Sequence, residues 1–215
     1  MEKRYESDMT RKEKRQNELK KLKSMTFKQK AAYIWEYYKG LFAGIIIACV
    51  IISIGVQMFQ NSQLKSLLSI AVVDSNYNHD EQVEALQNDF LAYAGTGDKH
   101  EVVDVDTSLL SGDDYNAVVK MTVVMGAGTA DMMFCGEETY KKYKQQEAFL
   151  SWKEILGDDY SKYEEYMTDD GRLDLEKCPN WEKYNMVYYS PVYAVVMSSS
   201  KNLENCIKFL EMMVQ

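Results

Sequence analysis

Three acidic pairs stand out as groups that could do chemistry: Asp113-Asp114, Asp158-Asp159 and Asp169-Asp170. Two neighbouring carboxylates can share acid and base roles. Asp169-Asp170-Gly171 also has the outline of a calcium loop. With Gly171 at the sixth position, however, Tyr166 and Lys177 fall on the first and twelfth, where acidic oxygen ligands are required, so the match fails. A solvated acidic surface is the better expectation for all three. The sequence contains no GxSxG, HExxH, Walker or GxGxxG signature, and His79 and His100, its two histidines, have no nucleophile at a recognisable spacing. Gly126-Ala127-Gly128-Thr129 lies between a helix and a strand. Phosphate loops precede a helix, so this stretch reads as a helix end and turn, with Gly126 following the helix. Cys135, Cys178 and Cys206 lack CxxC spacing and allow at most one intramolecular disulfide. Buried free thiols are the expectation. No catalytic residue, metal site or cofactor is predicted, and the chain is read as not an enzyme.

Positioning these groups falls first to the membrane. Leu41 to Phe59 is an uncharged run of 19 residues. As a helix it spans ~28 Å, close to the ~30 Å hydrocarbon core of a bilayer. Residues 1–39 hold 12 Lys and Arg against 6 Asp and Glu, whereas 60–215 hold 13 against 27. That asymmetry predicts a cytoplasmic N-terminus and an extracytoplasmic acidic domain. The acidic domain argues against a nucleic-acid partner. Nearly forty residues precede the apolar run, too many for the charged region of a cleaved signal peptide. Ile46-Ile47-Ala48-Cys49 has lipobox form, but Val50 to Val56 stays apolar where a lipoprotein turns polar, so an uncleaved span is expected.

The expected organisation is a charged cytoplasmic tail (1–25), an interfacial amphipathic helix (26–39), the span (40–59), a linker (60–66) and an α/β domain (67–215). In the second segment, Thr26 and Gln29 have capping-box spacing, and Phe27, Ala31, Ile34 and Tyr38 share one face. Trp35, Tyr37, Tyr38 and Lys39 stand where interfacial belts contact membrane lipid. Gly40, Gly44 and Ala48 fall four apart, a spacing that lets two helices approach closely and makes a homodimer through the span one candidate partner, against the plain reading that glycine is common in such helices. Beyond the linker the periodicity alternates. Strands are predicted over Leu67–Val73, His100–Val105, Ala130–Phe134 and Tyr188–Met197, with Pro191 marking a bulge or late start. Helices are predicted over Asp80–Ala94 (closed by Gly95), Asp113–Met125, Glu137–Gln146 and Asn202–Met213 (capped by Ser199 or Ser200), while 151–184 reads as irregular. The alternation predicts a parallel sheet with right-handed crossovers.

In such a sheet, ligands gather at the carboxyl ends of the strands. The expected ligand-binding residues are Asp74, Ser75 and Asn76 after the first strand, Gly136, Glu137 and Glu138 after the third, and Tyr189 as an aromatic wall. Acidic lining favours a cationic or hydroxyl-rich ligand over a phosphate. The competing expectation is that Asp74 and Glu137 cap their own helices.

Thr129-Ala130-Asp131-Met132-Met133-Phe134, followed by Glu138-Thr139-Tyr140 and Ala148-Phe149-Leu150, resembles a segment of the extracellular solute-binding proteins of bacterial importers. So does the tail, Val195 to Asn202 with its Ser200-Lys201-Asn202, then Cys206-Ile207-Lys208-Phe209-Leu210-Glu211. The stretch FKQKAAYIWEYYK before the span is similar to one in small single-pass proteins of Gram-positive bacteria. The resemblance implies one lobe of a periplasmic-binding-protein-like sheet, parallel or mixed, with flanking helices. It also implies a module that holds a small solute or peptide beside a transporter. The 156 residues after the span are few for the two lobes that close around a ligand in that family. The alternative reading is a non-catalytic interaction protein that docks on another envelope protein.

Overall fold

The computed structural model describes residues 10–215; the side chains of Glu18, Leu22, Ile34, Tyr37, Tyr38, Gln60 and Asn61 lie outside the described set. The expectations placed on residues 1–9 and on the rings of Tyr37 and Tyr38 therefore fall outside it. The chain divides into two units at Ser62/Gln63.

The first unit is helical. Helix α1 (Arg11–Ser24) opens with a capping box that the charge-dense sequence concealed: Glu13 Oε2 accepts from Thr10 N–H at 2.8 Å, and Thr10 Oγ1 accepts from Glu13 N–H at 3.4 Å. The next box is half made, with Thr26 N–H donating to Gln29 Oε1 at 3.0 Å. From there α2 (Phe27–Asn61) runs unbroken for 35 residues, so the interfacial and spanning segments form one helix with no interruption at Gly40. Lys39–Phe59 within it is long and apolar enough to cross a membrane, and none of it is buried in the protein.

The second unit is a mixed α/β domain. Strands β1 (Lys65–Val73), β2 (Glu101–Leu109), β3 (Met132–Cys135), β4 (Phe149–Leu150), β5 (Leu173–Asp174) and β6 (Tyr193–Met197) form one sheet in the order β2-β1-β3-β6-β4, with β5 also on β6. β1 pairs with β2 and β3 in parallel, but β6 runs antiparallel to β3, β4 and β5. The sheet is thus mixed, one of the two forms expected, and not the purely parallel one that the strand and helix alternation alone predicts. An apolar run marks a buried strand but carries no sign of its direction.

Both faces of the sheet are covered. Leu68, Ile70 and Val72 of β1 join Met132 and Phe134 of β3 under α3 (Asp80–Ala94) and α8 (Leu203–Val214), through Leu86, Phe90, Phe209 and Leu210. The alternate residues Ala71, Val73, Met133 and Cys135 face Met121 and Val124 of α4 (Tyr115–Ala127) and Tyr140 and Tyr143 of α5 (Glu137–Lys144). Burial on both faces explains why β1 reads as a continuous apolar run. The irregular stretch holds α6 (Trp152–Leu156), three 3-10 segments, β5 and α7 (Trp181–Tyr184). Trp152 anchors it by donating from Nε1 to the Ala194 carbonyl at 2.9 Å.

Several helix ends differ from expectation. The left-handed residue that stops α4 is Gly128 (φ 61°), and Gly126 lies inside the helix. Asp114, not Asp113, is its N-cap, accepting from the N–H groups of Asn116 and Ala117. Gly95 follows α3 in an extended conformation, and its glycine is required for room: a Cβ would stand 2.4 Å from the Leu91 carbonyl oxygen. At α8 the N-cap position is Asn202, with no side-chain cap bond. Ser200 Oγ accepts from Asn202 N–H at 3.2 Å, just before the helix, and donates to Asp131 Oδ1 at 2.8 Å. The other Asp131 oxygen accepts from Ser69 N–H at 2.9 Å and Asn202 Nδ2 at 3.0 Å. One buried carboxylate thereby ties β1, the start of β3 and the start of α8. Cys135, Cys178 and Cys206 are free and buried, and burial pushes each thiol up to about 12.

Candidate functional site

The strand order fixes where a crevice opens. β2 lies on one side of β1 and β3 on the other, so the chain leaves the carboxyl ends of β1 and β3 in diverging connections. That is the switch point at which open α/β sheets bind ligands. β6, being antiparallel, delivers the segment before it to the same edge. The result is a cleft of about 260 Å³ lined by Asp74, Ser111, Gly136 to Thr139 and Tyr188 to Pro191. Of the seven residues expected there, Asp74, Gly136, Glu137, Glu138 and Tyr189 meet in this cleft.

Ser75 and Asn76 are not among its lining residues. Ser75 Oγ donates to the Thr107 carbonyl at 2.8 Å, and Asn76 N–H donates to the Met186 carbonyl at 2.9 Å. Both residues therefore fasten the loop after β1 to neighbouring chain. Asp74 adopts φ 51°, and its Oδ1 accepts from Ser111 N–H at 3.0 Å. It pins the loop between β2 and α4 and does not cap α3, whose N-cap position is His79. That corrects the helix-cap expectation for Asp74.

Glu137 is corrected likewise. Its carboxylate meets Arg172 Nη1 at 2.5 Å and Lys141 Nζ at 3.0 Å, and these partners, Arg172 foremost, hold it at about 2. Arg172 also reaches Asp170 Oδ1 at 2.7 Å and lies 4.3 and 4.0 Å from the ring centres of Tyr140 and Tyr193. Burial works against ionisation of Asp170, but bonds from Thr168, Arg172 and Lys144 outweigh it and hold the carboxyl at about 2. Sequence reasoning missed this cluster. Its one available signal was that Arg172 is the only arginine after the span.

With Glu137 neutralised, Glu138 is the unengaged carboxylate of the cleft: it makes no hydrogen bond or ion pair among the described residues. Thr139 is only 6% exposed, lines the cleft, and its hydroxyl has no hydrogen-bond partner among the described residues. The first bond within α5 runs from Tyr140 N–H to the Gly136 carbonyl, at 3.0 Å. The N–H groups of Glu137, Glu138 and Thr139 therefore have no partner within the helix. Tyr189 forms the wall: its hydroxyl donates to the Phe134 carbonyl at 3.3 Å, and burial pushes its phenol well above the usual range. A Cβ on Gly136 would stand 3.3 Å from that ring, so glycine here makes room for the tyrosine. Tyr188 meets Tyr189 edge to face and is 75% exposed at the rim. The cleft can thus accept hydrogen bonds at two carboxylates, donate them from amides and hydroxyls, and cover an apolar ligand face. Neither histidine lines it. His79 hydrogen-bonds with the Asn76 carbonyl and Thr107 Oγ1, and His100 with Asp98.

The membrane-facing candidates lie on α2. Trp35 is exposed, and beside Gly40 and Gly44 there is open space where a Cβ would stand. No family model, curated protein or solved structure matches the chain, so the likeness to solute-binding proteins rests on the motifs quoted above.

Proposed function

We propose that this chain is a single-pass membrane protein, N-terminus inside, that presents an extracytoplasmic solute-binding-like domain whose cleft holds a small cationic or hydroxyl-rich solute beside a transporter. The observation that carries the reading is the pairing of Glu138 and Thr139. An exposed carboxylate and the hydroxyl of a residue only 6% exposed both line one small cleft with no side-chain partner among the described residues, so both are free to meet a ligand. A ligand with N–H or O–H groups supplies the donor for Glu138 and a partner for Thr139. An apolar face of the same ligand fits against Tyr189 and Pro191. Phosphate is disfavoured by Asp74 and Glu138. The α2 helix with its charge asymmetry supports the tether and its orientation.

The test is a thermal-shift screen of the full chain in detergent against amines, amino sugars, polyols and phosphates, since a ligand that binds the native state raises the melting temperature by mass action. Stabilisation by an amine or polyol class is expected. Stabilisation by phosphates alone, or by none of these classes, contradicts the proposal.

A further inference from the structure

Helix α4 is apolar on both sides. Ala117, Met121 and Val124 face the core, yet Tyr115, Val118, Val119, Thr122, Val123 and Gly126 form a second stripe open to solvent, its large apolar residues ranging from 38% exposed at Val118 to 80% at Tyr115. Their spacing of three and four residues places them on one continuous face, turned away from the sheet. A helix that is apolar all round is normally covered on both sides. The stripe carries no charge, although the domain around it holds 27 acidic residues against 13 basic ones.

The ends of the helix indicate the occupant. Asp113 and Asp114 are exposed at its start, Asp113 paired with Lys142 at 2.6 Å and Asp114 capping the helix through one oxygen, which leaves its other oxygen to face outward. At its other end Lys201 lines a groove with Gly126 to Gly128, is exposed, and has no ion-pair partner among the described residues. A second α4 laid antiparallel across the first brings each Lys201 to the partner's acidic end. It also sets the two helix dipoles in the favourable sense. The patch is complementary to itself, as a two-fold interface requires.

We infer that α4 is a homodimer interface, with a second copy of this chain packed antiparallel on the Val118–Val119–Val123 stripe. A helix face of ~20 Å by ~10 Å covers about 200 Å² per copy, well short of the ~800 Å² per partner of a stable interface. The contact therefore depends on confinement to one membrane, which raises the local concentration. For that condition alone the inference rests on the proposed tether; it is independent of the cleft and its ligand.

Two differently tagged full-length chains in liposomes test it, each with Cys49→Ser, one carrying Val118→Cys and the other Val123→Cys. Both positions are exposed, so the fold is undisturbed. An antiparallel pair centred on the stripe places 118 opposite 123, so mild oxidation should give a mixed dimer at several-fold the yield of Asp169→Cys controls. Lys201→Glu should lower that yield several-fold, and Val119→Asp should reduce it to the control level. Mixed dimer no more abundant than the control overturns the inference. So does self-crosslinking within each tag that exceeds the mixed product, or crosslinking to another polypeptide in place of the dimer.

Discussion

Arg172 and Glu137 meet through Nη1 and Oε2 at 2.5 Å, and that ion pair fastens the irregular stretch after α6 to the first turn of α5. The guanidinium side chain is only 11% exposed and lies against the rings of Tyr140 and Tyr193. Replacing it with alanine leaves Glu137 and Asp170 without their shared cation. Arg172→Ala should cost about 2–3 kcal/mol in urea unfolding, less than the ~3–5 kcal/mol of a fully buried pair because both carboxylates are partly exposed. Arg172→Lys should recover only part of that loss, since a point charge cannot stack or bridge both carboxylates.

The same cluster sets an acid limit. Glu137 and Asp170 are each held at about 2 in the folded protein, below their ordinary values. A depressed folded value means the stabilisation is complete above the unfolded value and is lost as protons bind the native carboxylates. Stability should therefore fall as pH drops from about 5 toward 2. Arg172→Met should show a shallower fall over that window in pH-dependent thermal melts.

Asp131 tests the tie at the opposite edge of the sheet. Asp131→Asn keeps the shape but must present an amide nitrogen to at least one donor among Ser69 N–H, Ser200 Oγ and Asn202 Nδ2. Chemical denaturation should show a loss of about 2–3 kcal/mol, typical of hydrogen bonds to a charged group.

The two glycines at the end of α4 should respond in opposite ways. Gly128→Ala forces a Cβ into the left-handed region and against Ser199, and should destabilise by about 1 kcal/mol. Gly126→Ala, with open space around it inside the helix, should stabilise by about 0.5–1 kcal/mol. Equal effects in thermal melts would contradict the observed cap.

Legibility in the sequence followed the range of the interactions. Helix α3 was readable residue for residue because its period repeats over four turns and its face is set by local spacing. β1 was readable as buried on both faces because nothing polar interrupts Ile70 to Val73. The direction of β6 was not, since it depends on where the chain returns from after the long stretch ending at Tyr184. The choice between Gly126 and Gly128 was hidden because both satisfy the same local rule and packing decides between them. At the site, the rule that ligands gather at carboxyl strand ends found Asp74, Gly136 and Glu138. It could not foresee that Glu137 is claimed by Arg172, 35 residues on. Nor did any local signal mark Thr139, whose interest comes from its place in the cleft lining at the first turn of α5.

The cleft's role as a solute site is tested most directly at Glu138 and Thr139, which support no other part of the described fold through side-chain hydrogen bonds. With the compound that stabilises the full chain most, calorimetric titration of wild type, Glu138→Gln and Thr139→Val measures the contribution of each. Both variants should keep the wild-type melting temperature without ligand, within about 1 kcal/mol of stability. Each should weaken binding about tenfold or more, the loss of one hydrogen bond to a charged or buried group. Wild-type affinity in both variants, with the fold intact, would contradict the placement of the ligand in this cleft.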